Sequence, residues 1–233
     1  MPNSTNYSDP WEQLDQEIIA CRLCPRLVAW REEVARVKKK AYRNEEYWGK
    51  PVPGFGDHNA RVMIVGLAPG AHGSNRTGRM FTGDASGNFL YAALHRAGFA
   101  NQPIALTRDD DLRLNDLYIA AICRCAPPQN KPTLEEIRNC QPFLEREFDL
   151  LANLQGIVVL GGLALAQTMR ILSQRGYEGK KPKFAHGNFV EIGQDFPWIL
   201  MTYHPSQQNT QTGRLTPAMF DTIWSRVKSL IHP

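Results

Sequence analysis

"RVMIVGLAPGAHGSNRTGRMFTGDASG", residues Arg61–Gly87, joins two segments of opposite character. Arg61–Val65 is apolar on both faces. That pattern suits a strand of a parallel sheet with helices packed on both sides. From Gly66 onward the stretch is rich in glycine and nearly empty of large apolar side chains. A loop that cannot build core, leaving a buried strand, stands where open α/β sheets collect ligands. Its glycines let backbone N–H groups approach a bound molecule without a Cβ in the way.

The same alternation continues along the chain. Further strands are expected at about Asp116–Cys123, Gly156–Leu160 and Trp198–Tyr203. A first helical region is expected from Pro10 to Lys40, interrupted near Pro25. Other helices are expected from about Asp84–Ser86 to Gly98, and after the Thr133/Glu136 capping box. Pro142 should kink that helix. Two more precede Gly176 and follow Pro217. "YWGKPVPGFGD" (Tyr47–Asp57) reads as a Pro/Gly loop, and "KPKFAHGNFVEIG" (Lys181–Gly193) as irregular or hairpin structure. The predicted fold is a three-layer α/β/α sandwich around a central, mainly parallel four-stranded sheet. One domain spans 1–233, with residues 1–10 expected to lack order. Three of the four strands lead into unusual polar or Gly/Pro loops.

With 42% hydrophobic and 21% charged residues, the 233-residue chain has an ordinary soluble composition. It holds no apolar run of the ~18 residues a membrane span needs. Its polar N-terminus lacks the basic and apolar regions of a signal peptide, so a cytoplasmic location is expected. The net charge of +4 permits an anionic partner without demanding one. Six basic residues (Arg31, Arg36, Lys38, Lys39, Lys40, Arg43) cluster against two acids, as a solvated helix face or a phosphate contact.

Five cysteines exclude complete disulfide pairing. Cys21 and Cys24 stand in "CRLC", on a helix or at its end. Cys125 opens a Pro-rich loop and Cys140 lies on the capped helix. Two close and two distant thiols can surround one metal centre, stapling the N-terminal helix to the sheet. Tetrahedral zinc and an iron–sulfur cluster both fit the spacing. Cys123 is the spare, a small buried hydrophobe.

Three motifs together carry a family resemblance: "GLAPGAHGSNRTGRMFTGDASG" (Gly66–Gly87), "CRCAPPQNKPTLEEIRNC" (Cys123–Cys140) and "YHPSQQNTQTGRLT" (Tyr203–Thr216). They resemble the family 5 (type-b) uracil-DNA glycosylases with an iron–sulfur cluster, over the chain from about Trp11 onward. The resemblance implies a [4Fe–4S] cluster on Cys21, Cys24, Cys125 and Cys140. It also implies DNA containing uracil or other deaminated bases as the partner, acted on by a monomer away from membranes. It implies base flipping and hydrolysis of the N-glycosidic bond. His204 would hydrogen-bond the base carbonyl and Phe81 would stack on the base. Asp84 would place water or face the cationic sugar, although it equally fits the cap of the following helix. Gly66, Ala68, Gly70, His72 and Asn75 would line the pocket, while Arg76, Ser206 and Arg214 would contact DNA.

Two departures are visible. Ala68 stands where many enzymes of the wider uracil-DNA glycosylase superfamily carry a polar residue, an absence that resembles other type-b enzymes. Ala121 stands where type-a enzymes place an asparagine, and Asn130 is the candidate to serve in its stead. Fewer discriminating side chains predict a broader range that includes hypoxanthine and xanthine. No lysine is placed for Schiff-base chemistry, so a monofunctional enzyme is expected. The cysteines and basic segment suit a metal-stapled damaged-DNA-binding protein equally well, but the three loops at strand ends do not.

Overall fold

The four apolar runs become the centre of one sheet. In the computed structural model, which describes residues 9–232, the strands are β1 (Phe55–Gly56), β2 (Val62–Gly66), β3 (Leu117–Ala121), β4 (Gly156–Leu160), β5 (Phe189–Val190) and β6 (Trp198–Thr202). Their order is β1-β3-β2-β4-β6-β5. β3, β2, β4 and β6 are mutually parallel, and the two short edge strands pair antiparallel. The expected four strands are thus extended to six. Each added strand is two residues long, too short for its periodicity to register in sequence.

The helices are α1 (Pro10–Ala20), α2 (Pro25–Val37), α3 (Ser74–Thr77), α4 (Ala85–Ala97), α5 (Leu134–Leu150), α6 (Gly162–Gln174), α7 (Gln207–Gln211) and α8 (Pro217–Ile231). Their ends follow local chemistry. Both halves of the Thr133/Glu136 capping box are present on α5, which continues through Pro142. Gly98, at φ 87°, closes α4. Of the ten N-terminal residues expected to lack order, 1–8 lie outside the described residues. Asp9 caps α1 and Pro10 opens it.

The first helical region is two helices, and the break falls on "CRLC". Cys21 and Cys24 both have extended backbone, and Cys24 precedes the proline that starts α2. α2 stops at Val37 because Lys38 turns to φ 59°. The basic segment is therefore not one solvated helix face. Arg31 is buried, and Lys38–Arg43 lie beyond the helix.

Strand alternation divides the core into two layers. Val62, Ile64, Ile119, Val158 and Leu200 face α4 and α8. Met63, Val65, Ala120, Val159 and Met201 face α5 and α6. Both faces of every central strand are apolar, which is why they read as continuous runs. The chain leaves β2 for β3 on one side, then crosses to β4 on the other. That reversal opens a crevice beyond the carboxyl ends of the strands.

Behind the sheet, Arg124 and Glu147 form a fully buried ion pair. Tyr118 Oη donates to Glu147 Oε1 at 3.1 Å. A Cβ on Gly54 would overlap the Tyr118 hydroxyl, so glycine there lets the 51–54 segment close over this group. Removing one partner strands the other charge in the core. Glu147→Ala should cost about 3–5 kcal/mol, read from urea unfolding. A loss indistinguishable from zero would show that the pair does not hold α5 to β3.

Candidate active site

A cleft of about 740 Å³ lies beyond the carboxyl ends of β2, β3 and β6. That volume suits a small-molecule or nucleobase site. Gly66, Leu67 and Ala68 line it from β2, Ala121 from β3 and His204 from the exit of β6. Gly70, His72, Phe81 and Asp84 enter from the glycine-rich loop, Asn130 from the Pro-rich loop, and Ser206 from the third. All three sequence-predicted catalytic residues therefore meet in one place, with five of the six pocket residues.

The loop is shaped by its own atoms. Asp84 caps α4, its Oδ1 accepting from Gly87 N at 2.9 Å. Its Oδ2 would lie 2.9 Å from a Cβ on Gly70 and would overlap one on Gly73. Burial raises the Asp84 carboxyl above its ordinary pKa, while the Gly87 and Ser86 N–H groups and the Arg76 charge pull it back. The carboxylate is thus both a helix cap and a polar group beside the cleft.

Phe81 stands at φ 53°, a costly conformation for a bulky residue. Surrounding contacts impose it. Tyr91 Oη donates to Met80 O at 2.7 Å, and Gly83 N donates to Ala105 O at 2.8 Å. A Cβ on Gly87 would overlap the Phe81 carbonyl. The turn presents the ring over the end of β2, within 3.4 Å of where a Gly66 Cβ would stand. The Phe81 and His204 ring centroids are 5.6 Å apart, tilted by 31°.

His204 is fixed through its backbone, whose carbonyl accepts from Asn209 Nδ2 at 2.8 Å. Ser206 caps the short α7 that carries Asn209. Neither His204 ring nitrogen has a hydrogen-bond partner among the described residues. Burial holds the imidazole's pKa down to about 4. At neutral pH it is an uncharged ring with one free donor beside the cleft.

Two expectations are corrected. Asn75 is completely buried, with Nδ2 donating to Arg31 O at 3.3 Å and to Ala71 O at 3.4 Å. It braces the loop against α2 and does not line the cleft. Arg76 is buried as well. It donates from Nε to His72 O at 2.8 Å and from Nη2 to Gly83 O at 2.7 Å, and pairs with Glu45. Its fork ties the two ends of the loop together, which leaves it unsuited to a DNA phosphate. Arg214 is exposed, outside the cleft lining, with its guanidinium 4.5 Å from the Tyr203 ring centroid. Sequence reasoning missed Tyr42, Gln129, Lys131, Gln207 and Gln208, and left Lys39 undecided; all line the cleft. Gln129, Lys131, Gln207 and Gln208 sit within the recognised motifs, so adjacency was the available signal. Nothing local marked Tyr42.

The cysteines form a second centre. Cys21, Cys24, Cys125 and Cys140 line one small cavity with Leu27, Val28 and Arg124. Cys123 contacts the Cys140 thiol but does not line it. No three His, Cys, Asp or Glu side chains among the described residues converge on a single ion. Arg31 Nη1 donates to Cys125 Sγ at 2.8 Å, and Asn139 Nδ2 to Cys24 Sγ at 3.5 Å. The buried Nε of Arg31 and the Nε and Nη1 of Arg124 have no hydrogen-bond partner among the described residues. Unsatisfied buried guanidinium donors call for an acceptor-rich, negatively charged neighbour.

A family model for the uracil DNA glycosylase superfamily matches residues 53–228. A type-5 uracil-DNA glycosylase of Thermus thermophilus is 52% identical over 221 residues, covering 94% of this chain and 97% of that protein. One of Mycobacterium tuberculosis is 51% identical over 219 residues, covering 94% and 81%. One of Pyrobaculum aerophilum is 42% identical over 206 residues, covering 88% and 87%.

The His204 environment can be checked directly. A proton-detected titration of its ring should give a midpoint of about 4. A midpoint near the ordinary 6.5 would mean that the ring is solvated and charged in mildly acidic solution.

Proposed function

The chain belongs to the uracil-DNA glycosylase superfamily, and on that premise we propose that it excises uracil from DNA as a monofunctional enzyme. We read the chain as one domain acting as a monomer. The observation that carries this reading is the meeting of Phe81, His204 and Asp84 in one cleft at the strand ends. A base turned out of the helix stacks on the Phe81 face, an interaction worth roughly 1–3 kcal/mol per base. The neutral His204 donor meets a base carbonyl. As the N-glycosidic bond breaks, negative charge grows on that base, and a preorganised donor stabilises it. The Asp84 carboxylate faces the sugar, where positive charge develops, and orients the attacking water. Water adds to the sugar carbon, its proton passes by way of the Asp84 carboxylate to the base that left as an anion, and an abasic site remains. Asn130, on the exposed lip of the cleft, is assigned to the base edge.

Ala68 and Ala121 line the cleft with side chains that carry no donor or acceptor. A pocket with fewer discriminating side chains rejects fewer bases. We therefore extend the substrate range to the deaminated purines hypoxanthine and xanthine. Ser206 and Arg214 are read as contacts to the DNA backbone.

The four-cysteine cavity fits a [4Fe–4S] cluster. Its donors are all sulfur, as such clusters require. The partnerless guanidinium nitrogens of Arg31 and Arg124 supply the positive charge and hydrogen bonds that an anionic cluster accepts. When bound, the cluster would supply a covalent staple between the α1–α2 break, the exit of β3 and α5.

Two experiments test these readings. Duplexes bearing uracil, hypoxanthine or xanthine are incubated with protein and then alkali, which cleaves abasic sites. Cleavage is expected for all three, and its absence for uracil would overturn the proposed activity. His204→Ala should slow release by about 10²–10³-fold, and Gly73→Ala should slow it by displacing Asp84. Borohydride should trap no covalent complex. Separately, the purified protein should be coloured, with a broad visible absorption band and bound iron and sulfide. Cys125→Ser and Cys140→Ser should lose that band, while Cys123→Ser keeps it. A colourless wild-type protein containing zinc would overturn the cluster assignment.

A further inference from the structure

A second imidazole lines the cleft, and its ring proton can be placed from the hydrogen bonds around it. Tyr47 is buried, with its hydroxyl 3.1 Å from His72 Nδ1. The backbone N–H of Lys39 points at the same hydroxyl at 3.4 Å. An amide N–H can only donate, so the Tyr47 oxygen accepts from Lys39, and with no acceptor other than His72 Nδ1 for it among the described residues, its own proton goes to His72. Nδ1 is then the acceptor, and the ring proton of His72 sits on Nε2. Nε2 has no other partner among the described residues. Burial and the charges of Lys39 and Arg76 depress the pKa of this ring, which keeps it neutral.

The placement is informative. Phe81, His204 and Gly66 form one end of the site. Asp84 stands against Gly70 and Gly73. His72 lies between those two glycines in the loop, and the exposed Lys39 lines the cleft beside Tyr42, with Nζ 5.9 Å from the Tyr42 ring centroid. The cleft therefore has a base end at Phe81 and His204, and a corner at His72 and Lys39 that offers an N–H donor and an ammonium. A corner that offers a donor and a positive charge suits an anion better than a base edge. A nucleotide held with its base at Phe81 and its sugar at Asp84 leads its phosphodiester toward that corner.

We propose that His72 and Lys39 form a clamp for the phosphodiester that flanks the everted nucleotide, with Tyr47 as the positioning residue that fixes the donor tautomer of His72. The inference rests on the glycosylase reading above and adds to it the site that grips the backbone of the substrate strand. His72 contributes a neutral donor and Lys39 the charge, so the two should respond differently to salt.

The test compares uracil-containing duplexes that carry either natural linkages or one uncharged methylphosphonate, 5′ or 3′ of the uridine. Binding is followed by fluorescence anisotropy and excision by single-turnover assay. His72→Ala should weaken binding to natural DNA about tenfold, with the loss appearing in the half-saturating DNA concentration rather than in the rate at saturation. Wild-type protein should lose a similar factor on one of the two methylphosphonate duplexes, and His72→Ala should lose nothing further on that duplex. Lys39→Gln should reduce the slope of log affinity against log salt by about 0.9, whereas His72→Ala leaves the slope in place. Tyr47→Phe, which preserves the packing, should reproduce a smaller part of the His72 effect with the same dependence on the phosphate. An affinity for natural DNA unchanged in His72→Ala would overturn the clamp. So would a loss that persists undiminished on both methylphosphonate duplexes. Failure of the wild-type protein to release uracil would strike the glycosylase reading, and it appears in the excision arm alone.

Discussion

The carboxylate of Asp84 occupies space that side chains at positions 70 and 73 would need, and the loop is built around that single close approach. The same carboxylate caps α4, so the start of the helix and the wall of the cleft are set together. Gly87 lies under the Phe81 carbonyl, and Gly83, at φ 79°, lies against the Arg76 guanidinium. These glycines are required by the protein's own atoms, as well as by any ligand that approaches the loop. Phe81 can hold its strained backbone because the hydrogen bonds on both sides leave it no alternative. The result is a rigid wall, which is what electrostatic stabilisation of a leaving base requires.

Charge is divided by residue type. Arg31, Arg76, Arg79 and Arg124 are all buried. Each guanidinium can satisfy several acceptors in fixed directions, and each is used to tie segments that are distant in sequence. Arg76 joins the two ends of the loop, Arg79 pairs with Asp110, and Arg31 reaches Cys125 from α2. The cleft itself is left with lysines, Lys39 and Lys131. A modest net charge of +4 therefore understates how unevenly the cations are placed.

The two centres share scaffolding. Arg124 lines the cysteine cavity and also pairs with Glu147 beneath the sheet. Asn75 links the loop to the Arg31 carbonyl on α2. A staple at the cysteines would thus bear on the position of the glycine-rich loop through α2.

Strand positions, helix caps and the three motif loops were legible in the sequence because they rest on local signals. These are continuous apolar runs, Thr133 with Glu136, Gly98 after α4, and glycine where a close approach is needed. The family resemblance pointed to His204, Phe81 and Asp84, and they do meet in one cleft. The edge strands were illegible, since two residues carry no period. Asn75 and Arg76 were misjudged for a different reason. A polar side chain in a polar loop looks the same in sequence whether it faces a ligand or a neighbouring carbonyl. The Tyr47–His72 contact and the Arg31–Cys125 contact join residues 25 and 94 positions apart. Sequence determined which elements form and which chemistry-bearing residues stand at their ends. Only the packed structure decided which of those residues keep a free hydrogen-bonding atom, because that depends on partners brought together by the sheet.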